Sequence, residues 1–231
     1  MSKTPGELPQ LPPDDSRALS MLTTEHFALQ GLRSSTISDS SGRASLFLAS
    51  LSGTLVALSL LGNASQMGRP FVIAALILAP TLIFIGVATF ARVLQSGLED
   101  AFYAIGINRI RHLYLEMVPQ YRPYFVQSDR DDVLGMIADM GSASGGSWQM
   151  MLSTAGTIGV TNSVLIGAFS SGLAMALLRV SLETGLLGGL LIFLASAALH
   201  FVVLRRAWYA FSARHPALFP SDSGRQPTSP T

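Results

Sequence analysis

The sequence predicts an all-α integral membrane protein, a four-helix bundle in the bilayer accompanied by cytoplasmic amphipathic helices. Three observations carry this prediction. Of 231 residues, 49% are hydrophobic and only 13% charged, roughly half the charge of a typical soluble domain. Four separate runs carry no Asp, Glu, Lys or Arg, and each has the roughly 20 residues that a helix rising about 1.5 Å per residue needs to cross a bilayer core. The basic residues then fall almost entirely on one side of those runs.

The first run, Ala44–Gly62, is uncharged, and the second, Phe71–Ala91, opens after Pro70 and carries Pro80 near its middle. Proline is favoured in a first helical turn and bends a helix interior, so a start near Pro70 and a kink at Pro80 are expected. The third run is rich in Gly, Ser and Thr, and we place its span at about Ser153–Ala176. The fourth, Gly185–Leu204, contains one ionisable residue, His200.

Ahead of these, Met1–Asp15 is polar and proline-rich, which predicts a solvated tail and no cleaved signal peptide. From Ser16, residues Leu19, Leu22, His26, Leu29, Arg33 and Ile37 recur at helical spacing, so an amphipathic helix over 16–43 leads to the first span. Residues 92–149 form an insert between spans two and three. Within it Leu98–Val118 reads as a helix with Phe102, Ile105, Ile110, Leu113 and Met117 on its apolar side and Arg109, Arg111 and His112 among its polar residues. Ser96 and Gly97 either break this helix from the second span or let the two run on. Pro119 and Pro123 end it, Ser128–Asp131 fits a capping pattern, and Val133–Met140 is a short helix ending at Gly141. Asp129, Asp131 and Asp132 read as a solvated loop and helix start, Gly145 and Gly146 as a flexible lead into the third span, and residues 205–231 as a tail.

Lysine and arginine are retained on the cytoplasmic side of a membrane. Four spans place 13 of the 15 basic residues on one side, with Arg69 and Arg179 alone on the other. Both termini and the insert are therefore expected in the cytoplasm of a bacterial inner membrane. The loops outside, around Asn63–Arg69 and Arg179–Thr184, are too short to form a receptor domain.

Composition also excludes chemistries. No cysteine is present, so disulfides, thiolate catalysis and Cys-ligated metals are ruled out. A net charge of +1 gives no support to nucleic-acid binding. The four histidines show no metal-binding spacing, no phosphate-loop or nucleophile-elbow motif occurs, and no carboxylate lies within a span. Neither a catalytic set, a cofactor nor a metal site is expected.

Small residues are the most informative feature inside the spans. Ser45, Ala49, Gly53 and Ala57 fall four apart in the first, as do Ala155, Gly159, Ser163, Gly167 and Ser171 in the third, with Gly185 and Gly189 in the fourth. Each series lines one helix face and lets backbones approach closely, where no hydrophobic effect drives helices together. The packing is either within one bundle or between copies. Thr154, Thr157, Thr161 and Asn162 form a candidate polar strip, either lining a pore or hydrogen-bonding between helices. His200, one turn before Arg205 and Arg206, is a candidate gate or a residue bonded to a neighbour.

TTEHFALQ at Thr23–Gln30, RSSTISDSSGRASLFLASLS at Arg33–Ser52 and INRIRHLY at Ile107–Tyr114 resemble an uncharacterised family of small multi-span bacterial membrane proteins, mainly actinobacterial. The resemblance covers most of the chain and implies no activity, catalytic residue or ligand. In architecture the chain is also similar to multi-span effectors of bacterial defence systems, whose cytoplasmic segments receive a signal, although likeness of architecture does not establish function. The expectation is a non-enzymatic membrane protein that self-associates into a channel-like or effector assembly, with a cytoplasmic segment coupled to a protein partner or signal. The alternatives are an accessory or anchoring subunit without conductance and a small-solute transporter.

Overall fold

In the computed structural model, which describes residues 16–139 and 147–221, the chain is all-α. Helix α1 spans Ser16–Ala64, α2 Arg69–Met117, α3 Val133–Asp139, α4 Ser147–Leu152, α5 Thr154–Leu178 and α6 Leu182–Arg214, with a 3-10 turn at Pro119–Tyr124 between α2 and α3. Four of them, α1, α2, α5 and α6, are long and apolar enough to cross a membrane, and the chain is a membrane-embedded multi-pass protein.

One expected boundary is not a break, and of the two alternatives at Ser96 and Gly97 the chain takes the continuous helix. The amphipathic segment and the first span form one 49-residue helix, and the second span runs through Pro80, Ser96 and Gly97 to Met117 as another. Each is about 74 Å long, more than twice the hydrocarbon thickness. No proline separates the polar and apolar parts of α1, and a Cβ at Gly97 would meet nothing within 4 Å, so no local signal stops either helix. Pro119 does end α2, opening the 3-10 turn. The loops between spans are tighter than expected: α1 and α2 are joined by Ser65–Gly68, with Gln66 and Met67 at positive φ, and α5 and α6 by three residues. Arg179 turns the chain in the left-handed region and Ser181 caps α6 by accepting from the Thr184 amide. Ser153 caps α5 by accepting from the Gly156 amide at 3.1 Å. Ser153→Ala removes that acceptor and is expected to cost about 1 kcal/mol, read as a small fall in Tm of the detergent-solubilised protein with unchanged helix content.

The described residues divide into two units. The membrane unit, 35–100 with 147–216, has a core of Ala44, Phe47, Phe90, Val93, Leu94, Ala155, Ile158 and Leu204, to which α1, α2, α5 and α6 all contribute. Helices α5 and α6 approach each other closely through their small residues. A Cβ on Gly167 would lie 2.7 Å from the Gly189 carbonyl oxygen, and one on Gly189 2.7 Å from Ser171 Cβ. These small residues therefore serve backbone approach within the chain.

The polar unit, 16–34 with 101–139 and 217–221, is built from the N-terminal part of α1, the C-terminal part of α2, the loop after it, α3 and the segment 217–221. The inner face of α2 here is Ala101, Ala104, Ile105, Ile107, Asn108, Ile110, Arg111 and Leu115. The expected apolar side is thus shifted: Phe102 is 49% exposed while Arg111 is buried. Short helix α3 occupies the expected place, with Asp132 at its start accepting from the Gly135 amide. The expected N-terminal tail, Met140, Gly141 and the pair Gly145 and Gly146 lie outside the described residues, as does the chain after Ser221. The segment read as a C-terminal tail starts otherwise than expected, since α6 continues to Arg214 and 217–221 packs into the polar unit.

Candidate functional site

In the membrane unit the four strip residues do not share one surface. Thr154 and Thr157 are exposed, Thr161 is half-buried and Asn162 is fully buried. On a helix, 154, 157 and 161 follow one face while 162 is turned by about 100°, and α5 presents that second face to the chain interior. A Cβ on Gly86 would collide with Asn162 Oδ1 and lie 3.0 Å from the Phe47 ring, so Asn162 occupies the place that glycine vacates. Neither its Oδ1 nor its Nδ2 has a hydrogen-bond partner among the described residues, and Ser171 Oγ has none either.

The next residue, Ser163, donates to the Gly159 carbonyl oxygen at 2.7 Å and accepts from Ser196 at 3.0 Å. His200 Nδ1 donates to the Ser196 carbonyl oxygen at 2.8 Å, with Ser163 Oγ 3.3 Å away, and the ring stands edge-on to Phe90 at 4.7 Å. His200 thus belongs to an α5–α6 hydrogen-bond chain closed over Gly159, whose Cβ would lie 3.1 Å from His200 Cβ. The remaining small residues separate by face. Gly159, Ser163, Gly167, Gly185 and Gly189 are buried at helix contacts, whereas Ser45, Ala49, Gly53 and Ala57 are exposed along α1 and a Cβ on Gly53 would meet nothing within 4 Å.

The polar unit holds a denser arrangement. Asn108, on α2, donates to the Arg130 carbonyl oxygen at 2.8 Å and to Asp139 at 3.0 Å, while its Oδ1 accepts from Arg111 at 2.7 Å. Arg111 also donates to the Ser128 carbonyl oxygen and to Gln127 Oε1. Among the described residues these neutral groups are its hydrogen-bond partners, since Asp139 bonds Asn108 and the Ser128 amide, and Asp129 bonds Arg122 and His112. Burial lowers the Arg111 pKa, and the more distant Asp139 and Asp129 oppose this only in part.

Two acids close the loop. Burial by itself would raise the Asp129 carboxyl, but bonds and charge from Arg122, the charge of Arg130 and the bond to His112 hold it below the usual carboxylate range. Asp131, whose side chain is fully buried, is likewise pushed up by desolvation. It is held below the usual range by the Leu218 and Phe219 amides, at 2.9 and 2.8 Å, and by Arg109 at 2.7 Å. The Asp131 amide in turn donates to the Phe219 carbonyl oxygen, Asp132 accepts from the Ser221 amide and hydroxyl, and the Phe219 ring stacks on His112 at 3.8 Å. Residues 217–221 are thereby fastened to the loop after α2 along their length.

This arrangement corrects the reading of Asp129, Asp131 and Asp132 as a solvated loop: Asp132 does start α3, but Asp129 and Asp131 are buried. A signal for half of it lies in α2. Asn108 and Arg111 share a helical face with Ala104, Ile107 and Leu115, a stripe that periodicity alone marks as inward. Nothing in the sequence pairs Asp131 with Leu218, 87 positions away. Among the described residues no group of three His, Asp or Glu side chains is placed to hold a metal ion. Compared with family models, with curated proteins and with solved structures, the chain matches none, so its functional reading rests on this geometry.

Proposed function

We propose that the chain is a non-enzymatic protein of the bacterial inner membrane that self-associates into a channel-like or effector assembly. Both termini and the polar unit face the cytoplasm, where that unit couples to a protein partner or signal. The observation that carries the proposal is the division of small residues between faces. Those of α5 and α6 are consumed by contacts inside the chain, while Ser45, Ala49, Gly53 and Ala57 leave a smooth strip on α1 exposed, and small-residue strips are how helices associate in lipid. Orientation is supported by the basic residues, 13 to 2. Helices α1 and α2 each contribute residues to both units, which gives a signal received in one a covalent route to the other.

A polar path through a single copy has little support. The gap lined by Phe90, Gly156, Val160 and His200 is about 10 Å³, at the lower limit for one water. Conduction is assigned to an assembly of copies, with Thr154 and Thr157 available outside. The burial of Asn162 away from them favours a second reading, an anchoring subunit without conductance.

Because the chain has no cysteine, single-cysteine variants separate these readings directly. Gly53→Cys and Ala49→Cys are expected to form disulfide-linked dimers in membranes, while Leu190→Cys on exposed α6 remains monomeric. Equal crosslinking at all three positions would refute the α1 interface. Recordings from protein reconstituted in planar bilayers decide conductance, and their silence, together with α1 crosslinking, would leave the anchoring role.

A further inference from the structure

The polar unit contains a cavity of about 260 Å³ lined by His26 and Gln30 of α1, Arg111 and Tyr114 of α2, and Tyr124–Gln127 of the following loop. It is smaller than the pockets that enclose drug-sized ligands, about 300–1,000 Å³, and fits a compact molecule.

Its chemistry is unbalanced. Arg111 is 5% exposed and always charged, yet among the described residues no carboxylate lies within ion-pair distance of it. Asp139, bonded to the neutral Asn108 and Ser128 amide, and Asp129, bonded to Arg122 and His112, offset its charge from a distance and only in part. Buried charges are ordinarily paired, because desolvation in a medium of low dielectric is costly. Of the five guanidinium N–H groups, three donate to Asn108, Ser128 and Gln127, leaving two for a ligand. His26 is held neutral-favouring by burial and by Arg111. It accepts from Gln30 Nε2 at 3.3 Å, so its proton sits on Nδ1, a buried donor without a partner among the described residues. Tyr114 and the largely exposed Tyr124 also line the cavity. A cationic centre with spare donors beside two aromatic rings suits a ligand that is anionic at one end and planar at the other.

We propose that the cavity between Arg111, Gln30 and Tyr124 is a binding site for a small phosphate-bearing ligand, with the phosphate on Arg111 and a planar group against Tyr124. The proposal is independent of whether the protein conducts or assembles.

The test uses the full chain in phosphatidylcholine discs, with phenyl phosphate as the soluble probe and discs doped with phosphatidic acid as the lipid-borne one. Binding is read by calorimetry and by Tm. Phenyl phosphate is expected to bind saturably and raise Tm, inorganic phosphate to bind more weakly, and Tyr124→Ala to weaken phenyl phosphate about five- to tenfold, the loss of one ring contact. Gln30→Glu is the decisive variant. It places a carboxylate in the same cavity, so it is expected to raise Tm without ligand, by pairing Arg111, and to abolish phosphate binding. Stabilisation by phosphatidic acid alone, lost in Gln30→Glu, keeps the phosphate site and assigns its source to a lipid headgroup. Indifference to both probes, or binding that survives Gln30→Glu, overturns the proposal. Arg111→Gln is uninformative by comparison, since it also removes the bonds that hold Gln127 and Ser128.

Discussion

Replacing Asp131 by Ala is expected to release residues 217–221 and destabilise the polar unit by about 3 kcal/mol, the loss incurred when a buried charge pair is broken by removing one partner. Arg109 is a third exposed, so solvent recovers part of its charge and the figure belongs at the lower end of the range. The Leu218 and Phe219 amides both donate to the carboxylate that is lost and are left without that acceptor. Hydrogen exchange is the direct measurement. These two amides should become fast in Asp131→Ala while those of α5 and α6 stay protected, and unchanged protection at Leu218 and Phe219 would show that the segment is held by the Phe219–His112 stack instead. The same bonds set a pH dependence. Asp131 and Asp129 have depressed pKa values in the folded chain, so they bind protons more readily when unfolded. Their stabilisation is present above the unfolded carboxylate pKa of about 3.9 and is lost as pH falls through the lower folded values. The protection of Leu218, its exchange rate relative to the intrinsic rate at the same pH, should therefore be constant between neutral pH and about pH 5 and fall toward about pH 3.

Gly86→Ala is expected to cost about 2 kcal/mol in the membrane unit, a typical overpacking penalty. The added Cβ occupies the position of Asn162 Oδ1 and presses on Phe47, both almost fully buried, so the amide has nowhere to retreat. Gly86→Leu should prevent folding of the unit outright. Asn162→Ala alone is expected to be close to neutral, because removing an amide with no partner offsets the packing that is lost. The decisive measurement is the double mutant. Asn162→Ala opens the space that the methyl group added by Gly86→Ala needs, so the pair should recover most of the loss, with a coupling of about 1 kcal/mol or more. Additive effects in detergent unfolding would mean that the two residues do not share one site.

Four apolar runs, their length and the lopsided placement of Arg were enough to specify a multi-pass helical protein and, as an expectation, its orientation. These are properties of single segments meeting a solvent, with the hydrocarbon thickness dictating length and the absence of backbone partners in lipid dictating helix. The small-residue faces that carry Gly167 and Gly189 were legible for the same reason, since a face without side chains is visible in one helix alone, while their pairing was not. Which strip turned inward was not. Ser45–Ala57 and Ala155–Ser171 have the same spacing, and only the packing of α5 against α6 distinguishes them. Asn162 and Thr161 are neighbours in sequence and lie on different faces in space. Burial of Arg111 and Asp131, and the fastening of Leu218 and Phe219 to the loop after α2, were decided by the tertiary structure. A charge is kept out of water only by partners drawn from distant positions, and no local pattern encodes which partners the fold will bring.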